Sequence, residues 1–146
     1  MTRLVTDAER RRFIRAHARL DNPPMLPELR FWLAAEATDL WEASEEFLEE
    51  RGLPPPFWAF AWAGGQALAR YVLDTPGLVR GKRTLDFGAG GGIVAIAALT
   101  AGAHSALAVD LDPFAAIATR LNGEANACRP DVATQDATDL NPADFD

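Results

Sequence analysis

Apolar positions change their period along this chain. The run TDAERRRFIRAHARL places Phe13, His17 and Leu20 on one stripe at helical spacing, flanked by Ile14 and Ala16. Arg11, Arg15 and Arg19 fall on the opposite side, with Arg10 and Arg12 at its edges. Thr6 and Glu9 have the spacing of a capping box, which starts the helix there. Asn22-Pro23-Pro24 and Pro27 interrupt the pattern, and PELRFWLAAE fits a strand and a helix equally well. In ATDLWEASEEFLEERG, Leu40, Trp41, Phe47 and Leu48 share a helical stripe while five glutamates face mostly outward, and Gly52 is a plausible stop. Residues 1–53 therefore read as a mostly helical extension, closed by the stiff connector Pro54-Pro55-Pro56.

Beyond the prolines, FWAFAWAGGQALARYVLD is aromatic at first and predicts a helix from about Gly65 to Asp74. Strand and helix patterns then alternate. RTLDF, SALAVD and VATQ read as short strands, separated by GGIVAIAALTAG and DPFAAIATRLNGEANA as helices. Asp112 stands at the N-cap of the second of these helices and Pro113 at its first position. Such β-α-β-α-β succession predicts an α/β fold built on a parallel sheet with right-handed crossovers.

At 146 residues the chain is long enough for one domain and short for two. Hydrophobic residues make up 49% and charged residues 24%, which suits a packed core. A net charge of −7 argues against a phosphate-tracking nucleic-acid binder, so the five arginines of the first helix read as a solvated face. Cys128 is the sole cysteine, which excludes an internal disulfide and a cysteine-rich zinc site and suits a reducing compartment. His17 and His104 have no second ligand at metal spacing, and no metal site is expected. No window reaches the length of a membrane span and no secretory signal is visible, so the expectation is a cytoplasmic protein.

The chemistry concentrates in Asp86-Phe87-Gly88-Ala89-Gly90-Gly91-Gly92, which follows a strand and opens a helix. Glycine admits positive φ and lets a ligand approach the backbone without meeting a Cβ. The next strand ends in Asp110, 22 positions beyond Gly88, where a carboxylate accepts hydrogen bonds from ribose hydroxyls. Loop and acid together point to nucleoside recognition at the carboxyl edge of a parallel sheet. A dinucleotide fingerprint starting at Gly88 fails, since its sixth position is Ile93. One starting at Gly90 survives as Gly90-x-Gly92-x-x-Ala95, which keeps a nicotinamide-dinucleotide oxidoreductase open as an alternative. Asp86 favours S-adenosylmethionine (AdoMet), whose cationic methionyl amino group gains from a nearby carboxylate that a pyrophosphate would not.

This D-x-G-x-G-x-G pattern, with the acid ending the second strand, resembles the class I AdoMet-dependent methyltransferases. The stretch PPPFWAFAWAGGQALARY, with Asp110-Leu111-Asp112-Pro113 and Leu121-Asn122, is more specific and resembles the electron transfer flavoprotein β-subunit lysine methyltransferases. The resemblance implies a Rossmann-like sheet and a protein substrate, that flavoprotein subunit. It implies that Gly88, Gly90 and Gly92 wrap the methionine and ribose portions of the cofactor and that Asp86 lies near the amino group. Asp110 would hold the ribose. Asp136 matches the position that usually contacts the adenine edge, though it reads equally as a loop-capping residue. Trp58, Trp62, Gly64, Gly65 and Gln66 match a segment that covers the cofactor, with core packing an equal role for the tryptophans. Asn122 and Asn126, one helical turn apart, read as structural. The resemblance places the later strands of the sheet and an acidic-aromatic catalytic segment beyond Asp146. The chain is thus expected to be the first half of a methyltransferase domain, residues 54–146, truncated after its third strand. No catalytic residue is assigned, and a non-catalytic interaction remnant stays open as a further alternative.

Overall fold

The computed structural model describes residues 5–34, 49–50 and 54–146. Helix α1 spans Asp7–His17 and starts at the expected capping box. Thr6 Oγ1 accepts from the Glu9 N–H at 3.3 Å, and the Thr6 N–H donates back to Glu9 Oε2 at 2.9 Å. The helix ends at His17, earlier than the hydrophobic pattern predicts, and the chain turns into strand β1, Ala18–Asp21. β1 pairs antiparallel with β2, Phe31–Ala34, with Ala18 opposite Ala34 and Asp21 opposite Phe31.

This hairpin departs from the mostly helical reading of residues 1–53 and settles the ambiguous FWLA as strand. The buried stripe of α1 is also rotated from its expected place. Ile14 and Ala18 are buried, whereas His17 and Leu20 are exposed. His17 stacks on Phe13 at 4.2 Å and places Nδ1 3.0 Å from the Phe13 carbonyl oxygen. Arg10 lies over the ring of Phe114 at 5.8 Å and pairs with Asp7, so it packs rather than fringing a solvated face. The acidic helix expected over residues 37–52 lies almost wholly outside the described residues.

Helix α2, Ala63–Asp74, begins two residues before the expected Gly65. The alternating half then follows the pattern closely, as β3 (Arg83–Phe87), α3 (Ile93–Thr100), β4 (Ser105–Asp110), α4 (Pro113–Ala125) and β5 (Asp131–Thr134). The three strands form a parallel sheet in the order β3-β4-β5, with Phe87 opposite Val109 and Asp110 opposite Thr134. Asp112 caps α4, its Oδ1 accepting from the Phe114 N–H at 2.8 Å.

The core of the described residues has three parts. Ala95 of α3 packs with Ala106 and Ala108 of β4, small side chains that bring helix and sheet close together. Leu26, Leu29 and Phe31 pack with Ala69 of α2 and Ile93, Ile96 and Ala97 of α3. Ile14, Ala18 and Trp58 enclose Phe114, Ile117, Ala118 and Leu121 of α4, so α1 and the hairpin share a core with the second half of the chain. Burying a side chain the size of Phe114 or Leu121 stabilises by about 1.5–3 kcal/mol each. The face of β3 that carries Leu85 and Phe87 is open, with Phe87 70% exposed. At its free edge, Arg83 takes a backbone bond from the Asp146 N–H at 2.9 Å and an ion pair with its side chain.

Candidate cofactor site

The site lies where β3 and β4 end side by side. Parallel pairing brings Phe87 level with Val109, so the residues that follow, Gly88 and Asp110, emerge together at the carboxyl edge. Gly88, Gly90 and Gly92 have φ of +65°, +53° and +76°, a left-handed backbone that L side chains rarely adopt. The alternation folds the chain back on itself between β3 and α3. Asp110 fixes the curve, with Oδ2 accepting the Gly90 N–H at 2.9 Å and Oδ1 accepting the Asp112 N–H at 3.0 Å. Each carboxylate oxygen keeps further acceptor capacity toward the cleft.

Asp86 reaches under the loop to the start of α3, where its Oδ2 accepts the Ala95 N–H at 2.9 Å. Burial raises its pKa to about 6 against that hydrogen bond, and the nearby Asp110 charge adds to the rise. Burial likewise raises Asp112 to about 6. The first helical turn is thus already served by a carboxylate where a dinucleotide pyrophosphate would need to sit, which counts against the Gly90-x-Gly92-x-x-Ala95 alternative.

A cleft of about 460 Å³ opens over the loop. Asp86, Gly88, Gly90 and Asp110 line it, together with Phe57, Phe60, Trp62 and Leu68. Trp62 is half exposed and donates its indole N–H to the Phe57 carbonyl at 3.0 Å, with its ring 5.5 Å from Phe60. Of the expected residues, Asp86, Gly88, Gly90, Asp110, Trp62, Gly64 and Gly65 come together around this cleft. Gly92 does not. It faces α4, where a Cβ would lie 2.6 Å from Thr119 Cγ2. Asp136 lines a neighbouring recess of about 250 Å³ with Phe87, Gly88, Asp110 and Leu111. There it accepts from the Thr138 N–H and hydroxyl at 2.9 and 2.8 Å, which hold its pKa below the usual carboxylate value. It caps its loop and borders the recess at once.

Trp58 and Gln66 turn inward instead. Trp58 is buried and stacks on Phe114 at 6.1 Å. Gln66 accepts from the Met25 N–H at 3.1 Å and donates to the Ala61 carbonyl at 2.6 Å. Phe57, Phe60 and Leu68 were not singled out in the sequence. Their placement follows from the same aromatic run and from one face of α2. Among the described residues no group of His, Cys, Asp and Glu is arranged to hold a metal. No helix of the described residues is long and apolar enough to cross a membrane.

The sequence model of the family described as Ribosomal protein L11 methyltransferase (PrmA) matches residues 67–146, more than half of the chain. The chain belongs to the PrmA methyltransferase family. The PrmA match begins inside α2 and takes in the glycine loop, Asp110 and Asp136. The chain is also similar to proteins named electron transfer flavoprotein beta subunit lysine methyltransferase. The one from Xenopus laevis is 44% identical over 120 residues, 82% of this chain and 48% of the relative. The human one is 46% identical over 106 residues, 73% of this chain and 36% of the relative. The chain spans less than half the length of these relatives. Among solved structures, a 16S rRNA methyltransferase from T. Thermophilus in complex with AdoMet and guanosine shares the fold. It covers 57% of this chain and 23% of its own, at TM-score 0.50 and 24% identity.

Proposed function

We propose that this chain forms the AdoMet-binding part of a cytoplasmic protein-lysine methyltransferase whose acceptor is the electron transfer flavoprotein β-subunit. The observation that carries the cofactor assignment is the loop's open side. A Cβ on Gly88 would meet nothing within 4 Å, and Asp86 and Asp110 flank that space. The cleft has the size and the mixed apolar and polar lining of a small-molecule site. Asp110 would hold the ribose hydroxyls, and Asp86, once ionised, the methionyl ammonium. Gly88 and Gly90 would admit the cofactor to the backbone, Gly92 supports the loop from behind, and Trp62 would cover it. Asp136, at the neighbouring recess, would border the adenine edge. The group supplies an electrophilic methyl on a sulfonium. A lysine acceptor with an ordinary pKa near 10.4 costs about 4.6 kcal/mol to deprotonate at pH 7. The remaining chemistry therefore asks for desolvation and a proton acceptor at the amine.

The protein substrate is supported by the long matches to the flavoprotein-subunit enzymes. Relatives named for ribosomal protein L11 are 54% identical over only 54 residues, 37% of the chain. Isothermal titration with S-adenosylhomocysteine (AdoHcy) and with NADH tests the cofactor. Saturable AdoHcy binding is expected, and NADH binding in its place would overturn the reading. Transfer of labelled methyl by the full protein, offered the flavoprotein β-subunit and ribosomal protein L11 in parallel, decides the acceptor.

A further inference from the structure

Asn122 lies behind the cleft on α4 and is completely buried, yet both ends of its amide are engaged. Oδ1 accepts the Trp32 N–H at 2.7 Å, and Nδ2 donates to the Gly91 carbonyl at 2.8 Å. A backbone N–H only donates and a carbonyl only accepts, so one orientation of the amide serves both. One turn on, Asn126 accepts from the Arg30 N–H at 3.0 Å and donates to the Arg30 carbonyl at 2.6 Å. Backbone groups alternate between the two edges of a strand, so residues 30 and 32 present the edge of β2 that β1 does not use. The side chains of Asn122 on α4 and of Asn126, which caps it, serve that edge.

The other end of the link falls in the middle of the glycine loop. Gly91 stands between Gly90, held by Asp110, and Gly92, which starts α3. A Cβ on Gly91 would meet the Trp58 carbonyl oxygen at 2.8 Å and Asn122 Nδ2 at 3.2 Å, so the loop rests against α4 without slack. Asn126 makes no such bond to the loop. Its partners are Arg30 and the Asn122 carbonyl.

We propose that Asn122 is a positioning residue that couples the N-terminal hairpin to the glycine loop, so that the seating of β2 sets how tightly the cleft holds its ligand. The ligand side of this inference rests on the AdoMet reading, and the mechanical side does not. Asn122→Asp tests it in the full chain at pH 8, because the acceptor for Trp32 survives while the donor to Gly91 is replaced by an oxygen. Asn126→Asp is the matched control, keeping the acceptor for Arg30 and losing the donor. Amide hydrogen exchange of residues 88–92 and AdoHcy titration are read for each, well below its melting temperature. Loss of one buried hydrogen bond predicts loop exchange and Kd both about tenfold higher in Asn122→Asp, with the Trp32 amide still protected. Asn126→Asp leaves both within about twofold, even where it lowers Tm as much. Unchanged loop exchange in Asn122→Asp overturns the proposal, as do shifts that track Tm equally in the two variants. If the wild-type chain binds no AdoHcy, the AdoMet reading fails, and loop exchange alone decides the coupling. If Asn122→Asp does not fold, Trp32→Pro removes the N–H at the other end of the link, on the side of β2 that makes no ladder bond to β1. Faster loop exchange there supports the coupling, and unchanged exchange overturns it.

Discussion

The glycine loop has a front and a back, and its glycines serve different purposes on the two sides. On the front, Gly88 faces open space, and a Cβ on Gly90 would make only ordinary contact with the Trp58 and Phe57 backbone, at 3.9 and 4.0 Å. Here the absent side chain leaves room for something outside the protein. On the back, Gly91 and Gly92 are pressed against Trp58, Asn122 and Thr119, and the absent side chain leaves room for the protein itself. One motif letter thus stands for two physical demands. Only the first concerns a ligand.

Substitutions should separate the two sides. The largest effect is expected at Gly92→Ala, which combines a φ of +76° with a Cβ 2.6 Å from Thr119 Cγ2. Strain and overpacking together should cost about 3–5 kcal/mol of stability, read by urea unfolding. Adding Thr119→Ala should restore only the packing share, because the backbone strain remains. Next comes Asp110→Ala on the front. It removes the acceptor of the Gly90 and Asp112 N–H groups and should weaken AdoHcy binding by about ten- to a hundredfold in calorimetry, with a smaller loss of stability. Gly88→Ala is milder still for the fold, about 1 kcal/mol for its positive φ, since nothing obstructs the new methyl group. Its loss of affinity should exceed its loss of stability. If Gly88→Ala unfolds the chain as readily as Gly92→Ala, the division into front and back is wrong.

The smallest effect is one of pH. Asp86 has a folded pKa of about 6, above the ordinary 3.8, because burial favours its neutral form. The stability it contributes as a buried neutral acid is full below about pH 4 and is lost as pH rises through about 6. Asp112 acts in the same direction. A cationic ligand group beside Asp86 needs the ionised form, so AdoHcy affinity should rise from pH 5 to pH 7, by less than about tenfold per unit. Asp86→Asn should flatten that rise, and Tm measured against pH in the free protein should flatten with it.

The parallel half was legible in the sequence because each step there is local. RTLDF and SALAVD are short apolar-rich runs with a helical pattern between them, Asp112 and Pro113 mark a helix start, and the glycines mark the turn from β3 into α3. The cleft's acids were legible for the same reason, since Asp110 ends β4 and Asp86 stands one residue before the end of β3. The hairpin was not. ARLD and FWLA are four residues each, too short for period to separate strand from helix, and β2 is completed by Asn122 and Asn126, some 90 residues away in sequence. The back of the loop was hidden in the same way. Whether Gly91 or Gly92 faces a ligand or a helix depends on Trp58 and Thr119, which no spacing within the motif records.

The asparagine bonds to β2 also bear on when the hairpin folds. The hairpin is made early in synthesis, and a two-stranded hairpin is marginal in water by itself. Among the described residues its second edge is met by the side chains of Asn122 and Asn126, across separations of 90 and 96 residues. Closing such long loops costs entropy before any contact returns it. Strands β1 and β2 are translated before α4 and are therefore secured only once it is made. In pulse-labelled refolding, the Trp32 and Arg30 amides should gain protection no sooner than those of α4. Until then β2 is an unfinished edge, waiting for α4 in the parallel half.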